Sequence, residues 1–284
     1  MSQRVPSSPQ PKRPLPKGAV DTHCHVYSPD FADQAGGPPS PSDYPDVEQY
    51  QAMQAWLGFE HTVIVQANAH QHDNRCMLAA LSAFNGNARG VAAVTPDMSD
   101  DTLTRLHKAG VRGARIMEFE GGAVGIKSLH AVDARIADLG WHCIVQFDGS
   151  LMDTYSPFLN NFESTYILDH VMKFQSPTGV NDPQFKTLLK LIDKGNCYIK
   201  LSAIYESSRT GGPLYEDVGT LAKALIAHAP ERILWGTNWP HASQPIDQAP
   251  NDAHLQEVID SWIPDDTTRQ KIYVDNPRKL YDFA

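Results

Sequence analysis

Two histidines stand two residues apart in the run Asp21-Thr22-His23-Cys24-His25. On an extended strand that spacing turns both imidazoles to one face, where their nitrogens can share one metal ion or one substrate. Taken alone, the pair reads more readily as an accident of sequence or as hydrogen-bonded core histidines than as a site. Three further runs carry polar groups in comparable settings: Gln66-Ala67-Asn68-Ala69-His70, Asp169-His170 and Gly236-Thr237-Asn238-Trp239-Pro240-His241. Imidazole titrates near neutrality, so His70, His170 and His241 are each candidates for moving a proton. Arg115 interrupts the apolar run Gly113-Ala114-Arg115-Ile116, where a guanidinium is costly to bury without a partner. A substrate carboxylate or sulfonate would supply that partner, gripped by the planar two-pronged guanidinium. A structural ion pair with Glu118 or Asp148 is the alternative. Gln146 and Asp148, again two apart, are expected to share a face and reach the same mouth.

These residues need a scaffold that gathers them. Short apolar runs bounded by turn residues predict eight strands, at Val20–Val26, Thr62–Asn68, Gly90–Thr95, Gly113–Glu118, His142–Asp148, Thr165–Val171, Cys197–Ala203 and Arg232–Trp239. Helical spacing predicts Tyr50–Leu57, Thr102–Ala109, Ala131–Leu139, Pro183–Asp193 and Tyr215–His228 between them. Alternation favours a parallel sheet, and eight repeats favour closure into one (β/α)8 TIM barrel of the metal-dependent-hydrolase type. An open doubly wound sheet is the alternative, but no GxGxxG follows the first strand. Barrel chemistry sits at strand C-termini, which is where the four polar runs fall. The Pro- and Gly-rich residues 30–46 form the loop after strand one on the same rim. Residues 1–17 predict a flexible arm, residues 18–284 a single catalytic barrel, and residues 265–284 a segment closing its back.

A chain of 284 residues suits one barrel, since such domains run to about 250 residues. Apolar residues at 41% and charged residues at 20% are ordinary globular usage. The net charge of -9 argues against nucleic acid as a partner, while a local cationic cluster could still hold a small anion. No apolar stretch approaches the ~20 residues that span a bilayer. The N-terminus has no hydrophobic signal core, so a cytoplasmic protein without a membrane partner is expected. Cys24, Cys76, Cys143 and Cys197 form no CxxC pair and read as buried reduced thiols.

In this order and spacing, the His-x-His, Asp-His and Gly-Thr-Asn-Trp-Pro-His runs resemble the amidohydrolase superfamily. Within it they are similar to the branch of 2-pyrone-4,6-dicarboxylate hydrolase, 4-sulfomuconolactone hydrolase and galactarolactone isomerase. The resemblance covers the chain from Gly18 to Tyr281. It implies that His23, His25 and His170 ligate one divalent metal, such as zinc, or grip the lactone carbonyl in metal-free relatives. No carboxylated Lys or matching Asp is evident for a second ion, so zero or one metal is expected. The superfamily usually ends strand eight with an Asp that activates water. Here Asn238 stands in that place, and an amide cannot take a proton at neutral pH. The isomerase branch shares this Asn, the Tyr205-Glu-Ser-Ser-Arg209 run and Gly121-Gly-Ala-Val124, while lacking the first histidine, present here as His23.

The resemblance further suggests Lys173 as a substrate grip, standing where the pyrone-dicarboxylate relative carries Arg. Arg209 is a replacement cation or a solvated loop charge. Tyr44 is a substrate contact or packs on its own prolines. Retention of the whole His-x-His pair makes hydrolysis of a small anionic lactone the leading expectation, with a histidine-assisted water attacking a polarised carbonyl. Intramolecular isomerisation of an aldarate lactone, galactaro-1,5-lactone to the 1,4-lactone, is the alternative motivated by Asn238. A barrel that only binds sugar acids is the third.

Overall fold

In the computed structural model, which describes Arg4 and residues 8–283, eight strands form one sheet in the order β1 to β8. They are β1 (Val20–Cys24), β2 (His61–Val65), β3 (Ala88–Ala92), β4 (Val111–Met117), β5 (His142–Gln146), β6 (Tyr166–Leu168), β7 (Cys197–Leu201) and β8 (Ile233–Trp235). Every neighbouring pair is parallel. Cys24 bridges Trp239 in parallel, and Asn238 N donates to His23 O at 2.8 Å, so β1 is joined to the chain leaving β8. The expected (β/α)8 barrel is thereby formed. Gly236 makes that seam possible, because a Cβ there would stand 2.6 Å from His23 N.

Helices α1 (Val47–Leu57), α2 (Arg75–Ser82), α3 (Asp100–Lys108), α4 (Leu129–Ile136), α5 (Met152–Asn160), α6 (Pro183–Asp193) and α7 (Glu216–His228) fill the crossovers. After β8 come α8 (Asp252–Trp262), α9 (Asp266–Gln270) and α10 (Asn276–Tyr281). Sequence periodicity did not predict α2, α5 or α8. The first is short, and the second carries Pro157 in its interior. The third starts on an Asn251 cap whose side chain accepts from His254 N.

Two apolar layers hold the barrel. One lies between strands and helices, and the other fills the barrel floor with Val20, Val63, Val65, Val91, Ile144, Ile167, Tyr198 and Leu234. Tyr281 and Phe283 complete that floor, so the C-terminal segment does close the back. In β1, Val20 belongs to the floor and Cys24 to the outer layer, with a register shift between Asp21 and Cys24. Strict alternation would put Cys24 inside; the shift instead turns His23 and His25 inward.

Several strands end earlier than expected. β6 stops at Leu168, and His170 to Lys173 follow with φ between 46° and 65°. β8 stops at Trp235, and Asn238 (φ 62°) and His241 (φ 61°) lie in the turn beyond it. Left-handed backbone is uncommon for non-glycine residues and clusters at functional sites. Within the expected arm, Gln10 donates to Trp56 O at 2.8 Å and Leu15 packs on the core. Residues 1–3 and 5–7 lie outside the described residues. Among the described residues no helix is long and apolar enough to cross a membrane.

Candidate active site

Three ionisable side chains occupy the barrel interior above the apolar floor. Lys200 in β7 is fully buried, and its Nζ donates to Thr22 O at 3.0 Å. The same Nζ stands 3.1 Å from His23 Nδ1 and 3.6 Å from Asp169 Oδ1. Burial lowers the Lys200 pKa while Asp169 opposes that shift. Burial alone would raise Asp169, but the charges of His170, Lys200 and His23 outweigh it and hold the carboxyl well below its usual range. Asp21, at the base of the same strand as His23, ties β1 to the β8 turn and to α1. It accepts from Thr237 N (2.9 Å), Thr237 Oγ1 (2.7 Å), His23 N (3.0 Å) and Tyr50 OH (2.9 Å).

His25 Nδ1 lies 2.8 Å from Val65 O, and a carbonyl can only accept, so Nδ1 carries the proton and Nε2 the lone pair. Burial lowers the His25 pKa to about 3, so the ring is neutral. His23 Nε2 stands 3.2 Å from that lone pair. With Lys200 donating to its Nδ1, His23 donates from Nε2 to His25. The geometry also fits one divalent ion, because two imidazoles at zinc distance (about 2.0–2.1 Å each) place their nitrogens roughly 3.3 Å apart. Ligand atoms of His23, Asp169 and His170 lie within 4.8 Å of one another. Asp169 stands in that group with His23 and His170, while His25, the remaining expected ligand, is not part of it.

Above this layer opens a cavity of about 250 Å³ at the C-terminal ends of the strands. His25, His170, Arg115, Gln146, Lys173 and Asn238 line it, together with Tyr27 and Glu206. His170 Nδ1 bonds Ser202 Oγ at 2.7 Å, and its Nε2 lies 3.7 Å from Asp169 Oδ2. Burial lowers the pKa of this imidazole, partly countered by Asp169 and Glu206, and so keeps it neutral. Arg115 donates to Gln66 O (2.8 Å), Asn68 Oδ1 (3.2 Å) and Gln146 Oε1 (3.4 Å). All three are neutral acceptors, and Nε has no partner. The ion pair with Glu118 or Asp148 is not formed: Glu118 accepts from Ile126 N, and Asp148 from Ser150 N and Gln175 N. Lys173 is paired, at 2.6 Å from Glu206 Oε2, which leaves Arg115 as the unneutralised cation of the wall.

Asn238 is held by a chain of bonds running away from the cavity. Its Nδ2 donates to Tyr205 OH at 2.8 Å, Tyr205 OH lies 2.9 Å from His241 Nδ1, and His241 Nε2 lies 3.1 Å from Asp252 Oδ1. His241 thus stands behind the wall rather than in it. His70 is buried against Tyr27 with Nε2 unpartnered and does not line the cavity. Asp148 does not reach the mouth, because β5 ends at Gln146 and the next turn redirects it to cap a helical turn. Tyr44 is exposed and outside the cavity. Arg209 lines a separate pocket with Phe174 and Asp217 and donates to Gln175 O.

Lys200 escaped the sequence analysis although the signal was present, a cation inside the apolar Cys-Tyr-Ile-Lys-Leu strand, as with Arg115. Tyr27 gave no such signal, and Tyr205 and Glu206 were marked only as part of the Tyr205-Glu-Ser-Ser-Arg209 run, because their placement in the helical turn after β7 is set by packing.

Known proteins resemble this chain over nearly its whole length. A family model described as amidohydrolase matches residues 20–283. The chain is 40% identical over 276 residues to D-galactarolactone isomerase of Agrobacterium fabrum, with 96% of this chain and 94% of that protein covered. It is 36% identical to 2-pyrone-4,6-dicarboxylate hydrolase of Comamonas testosteroni, with 97% and 93% covered. An apo crystal structure of an Agrobacterium tumefaciens protein, 40% identical, superposes with a TM-score of 0.92 over 96% of this chain and 99% of that one. The chain belongs to the amidohydrolase family.

Proposed function

We propose that this enzyme isomerises a small anionic, hydroxyl-bearing lactone, of the galactaro-1,5-lactone type, by moving the acyl group between two oxygens of the same molecule. The observation that carries the reading is Asn238, an amide bonded to Tyr205, in the place where a water-activating carboxylate would stand. The 40% identical isomerase supports it. A cavity of about 250 Å³ lies below the range of about 300–1,000 Å³ usual for drug-sized ligands and suits a single small ring.

In this reading the substrate carboxylate binds Arg115, whose guanidinium has only neutral partners. Neutral His170, oriented by Ser202, takes the proton of the attacking hydroxyl at Nε2, and Asp169 stabilises the imidazolium that forms. The hydroxyl oxygen bonds to the lactone carbon, the original ring C–O bond breaks, and His170 returns the proton to the released oxygen. No water is consumed. Zinc or another divalent ion held by His23, His25 and Asp169 would polarise the carbonyl when bound, leaving His170 Nε2 free as the base. The four free buried cysteines suit a reducing compartment, and we place the enzyme in the cytoplasm.

Hydrolysis of an anionic lactone is the second reading, favoured by the intact His23–His25 pair and by the relatives named lactone hydrolases. NMR of galactaro-1,5-lactone with the protein distinguishes the two. Appearance of the 1,4-lactone ahead of any open diacid supports isomerisation. No change in this lactone, with turnover of 4-sulfomuconolactone instead, would replace it by the second reading.

A further inference from the structure

We propose that Asp252, His241 and Tyr205 form a positioning relay that locks the Asn238 amide with its Oδ1 facing the cavity. The site is thereby built to select ligands that donate a hydroxyl proton there. This deepens the isomerase reading and rests on it for the identity of the hydroxyl.

The direction of the relay follows from which groups can only accept. The Asp252 carboxylate accepts, so the contact of 3.1 Å requires a proton on His241 Nε2. With Nε2 as the ring's one protonated nitrogen, the state this relay requires, Nδ1 keeps its lone pair and Tyr205 OH donates across the 2.9 Å contact. The Tyr205 oxygen then has lone pairs to offer, and the Asn238 amino group fills one at 2.8 Å. Among the described residues no hydrogen bond reaches Asn238 Oδ1, and Asn238 lines the cavity beside His170. An isolated Asn could present either end of its amide; this one is fixed as an acceptor. Its left-handed backbone, φ 62°, and the bond from its N to His23 O hold the residue itself in place. A hydroxyl that donates to Oδ1 has its oxygen lone pairs turned away from Asn238. Its single proton is then engaged by an amide that cannot take it, so this hydroxyl orients the ring while a different hydroxyl of the substrate gives its proton to His170 Nε2.

The relay can be read without turnover. Long-range nitrogen–proton NMR of the wild-type protein should show His241 as the Nε2-protonated tautomer; an Nδ1-protonated or doubly protonated ring would overturn the proposal. In the second arm, isothermal titration compares galactarate with adipate, a diacid of equal length without hydroxyls. Wild-type protein should prefer galactarate, and Tyr205→Phe should lower that preference on the order of tenfold, the worth of one hydrogen bond. Asn238→Asp alone should keep the preference, because one carboxylate oxygen takes the Tyr205 proton and the other still faces the cavity as an acceptor. In the Tyr205→Phe background, Asn238→Asp should restore preference, since a carboxylate presents an acceptor in any orientation. Equal binding of the two diacids to the wild type, or a preference unchanged in Tyr205→Phe, would overturn the proposal. If neither diacid binds, the aldarate reading fails, while the His241 tautomer still decides the relay.

Discussion

The Lys200 ammonium stands 3.1 Å from His23 Nδ1 inside the barrel, and this contact sets the proton arrangement of the two histidines above it. Donation from Lys200 makes His23 an Nε2 donor toward His25, whose own Nδ1 proton is engaged by Val65 O. A fully buried cation thus organises the imidazoles under the cavity.

Removing that cation isolates Asp169, which is also fully buried. Breaking one partner of a buried pair costs about 3–5 kcal/mol. Lys200→Met, close in volume, is expected to lose that much in urea unfolding. A loss below about 1 kcal/mol would show that the pair is not what stabilises Asp169.

Arg115 is the residue most exposed to test by substrate charge. A charge-assisted hydrogen bond contributes about 1.5–3 kcal/mol, so Arg115→Met should lower kcat/KM for an anionic lactone by roughly ten- to a hundredfold. The neutral methyl ester of the same lactone should lose far less. Equal losses on both would remove Arg115 as the carboxylate grip.

His170→Gln keeps a polar group of similar reach and removes the base. A positioned general base contributes about 10²–10⁴ in rate, so kcat should fall by that range while circular dichroism and the unfolding midpoint stay near wild type. Full activity in this variant would point to another base, such as Glu206, which lines the same cavity.

Acidification should destabilise the fold through buried neutral histidines. His25 and His142 are lowered by burial from 6.5 to about 3. The unfolded chain takes up protons there as pH falls through 6.5 and the folded chain does not, so the stability present above 6.5 is lost progressively toward 3. Asp21, raised from 3.8 to about 6 by burial, acts in the opposite sense between those values and cancels one of the two. These three groups together leave a slope of about 1.4 kcal/mol per pH unit, and His23 and His170, also lowered by burial, add to it in the same direction. Urea midpoints at neutral pH and at roughly pH 5 check it; equal stability at both would contradict neutral buried rings.

Much of this site was legible in the sequence. The eight strands, the shared face of His23 and His25, and Arg115 as a cation needing a partner all follow from spacing and burial cost. Two kinds of information were not. Where β6 and β8 stop depends on pairing across the sheet, so His170 and Asn238 were expected in strands and lie in left-handed turns. Placement of loop residues depends on long-range packing, so Tyr44 and Arg209 were expected at the substrate and lie away from the cavity, while Tyr27 and Glu206 line it. His241 was read as a base because its neighbours in sequence carry chemistry; only the fold reveals that Tyr205 stands between it and the cavity.

Metal content follows from the same cluster. Among the described residues, a single group of three His or acidic side chains comes within ligand distance, so plasma mass spectrometry of native protein should find at most one ion per chain. A content near two would require ligands beyond His23, His25, Asp169 and His170.

Oxygen labelling tests the central claim most directly. Galactaro-1,5-lactone is incubated with the enzyme in ¹⁸O-water, and the products are resolved by mass. Acyl transfer within one molecule predicts a 1,4-lactone of unchanged mass. An open diacid that gains one labelled oxygen per turnover from the outset would contradict it.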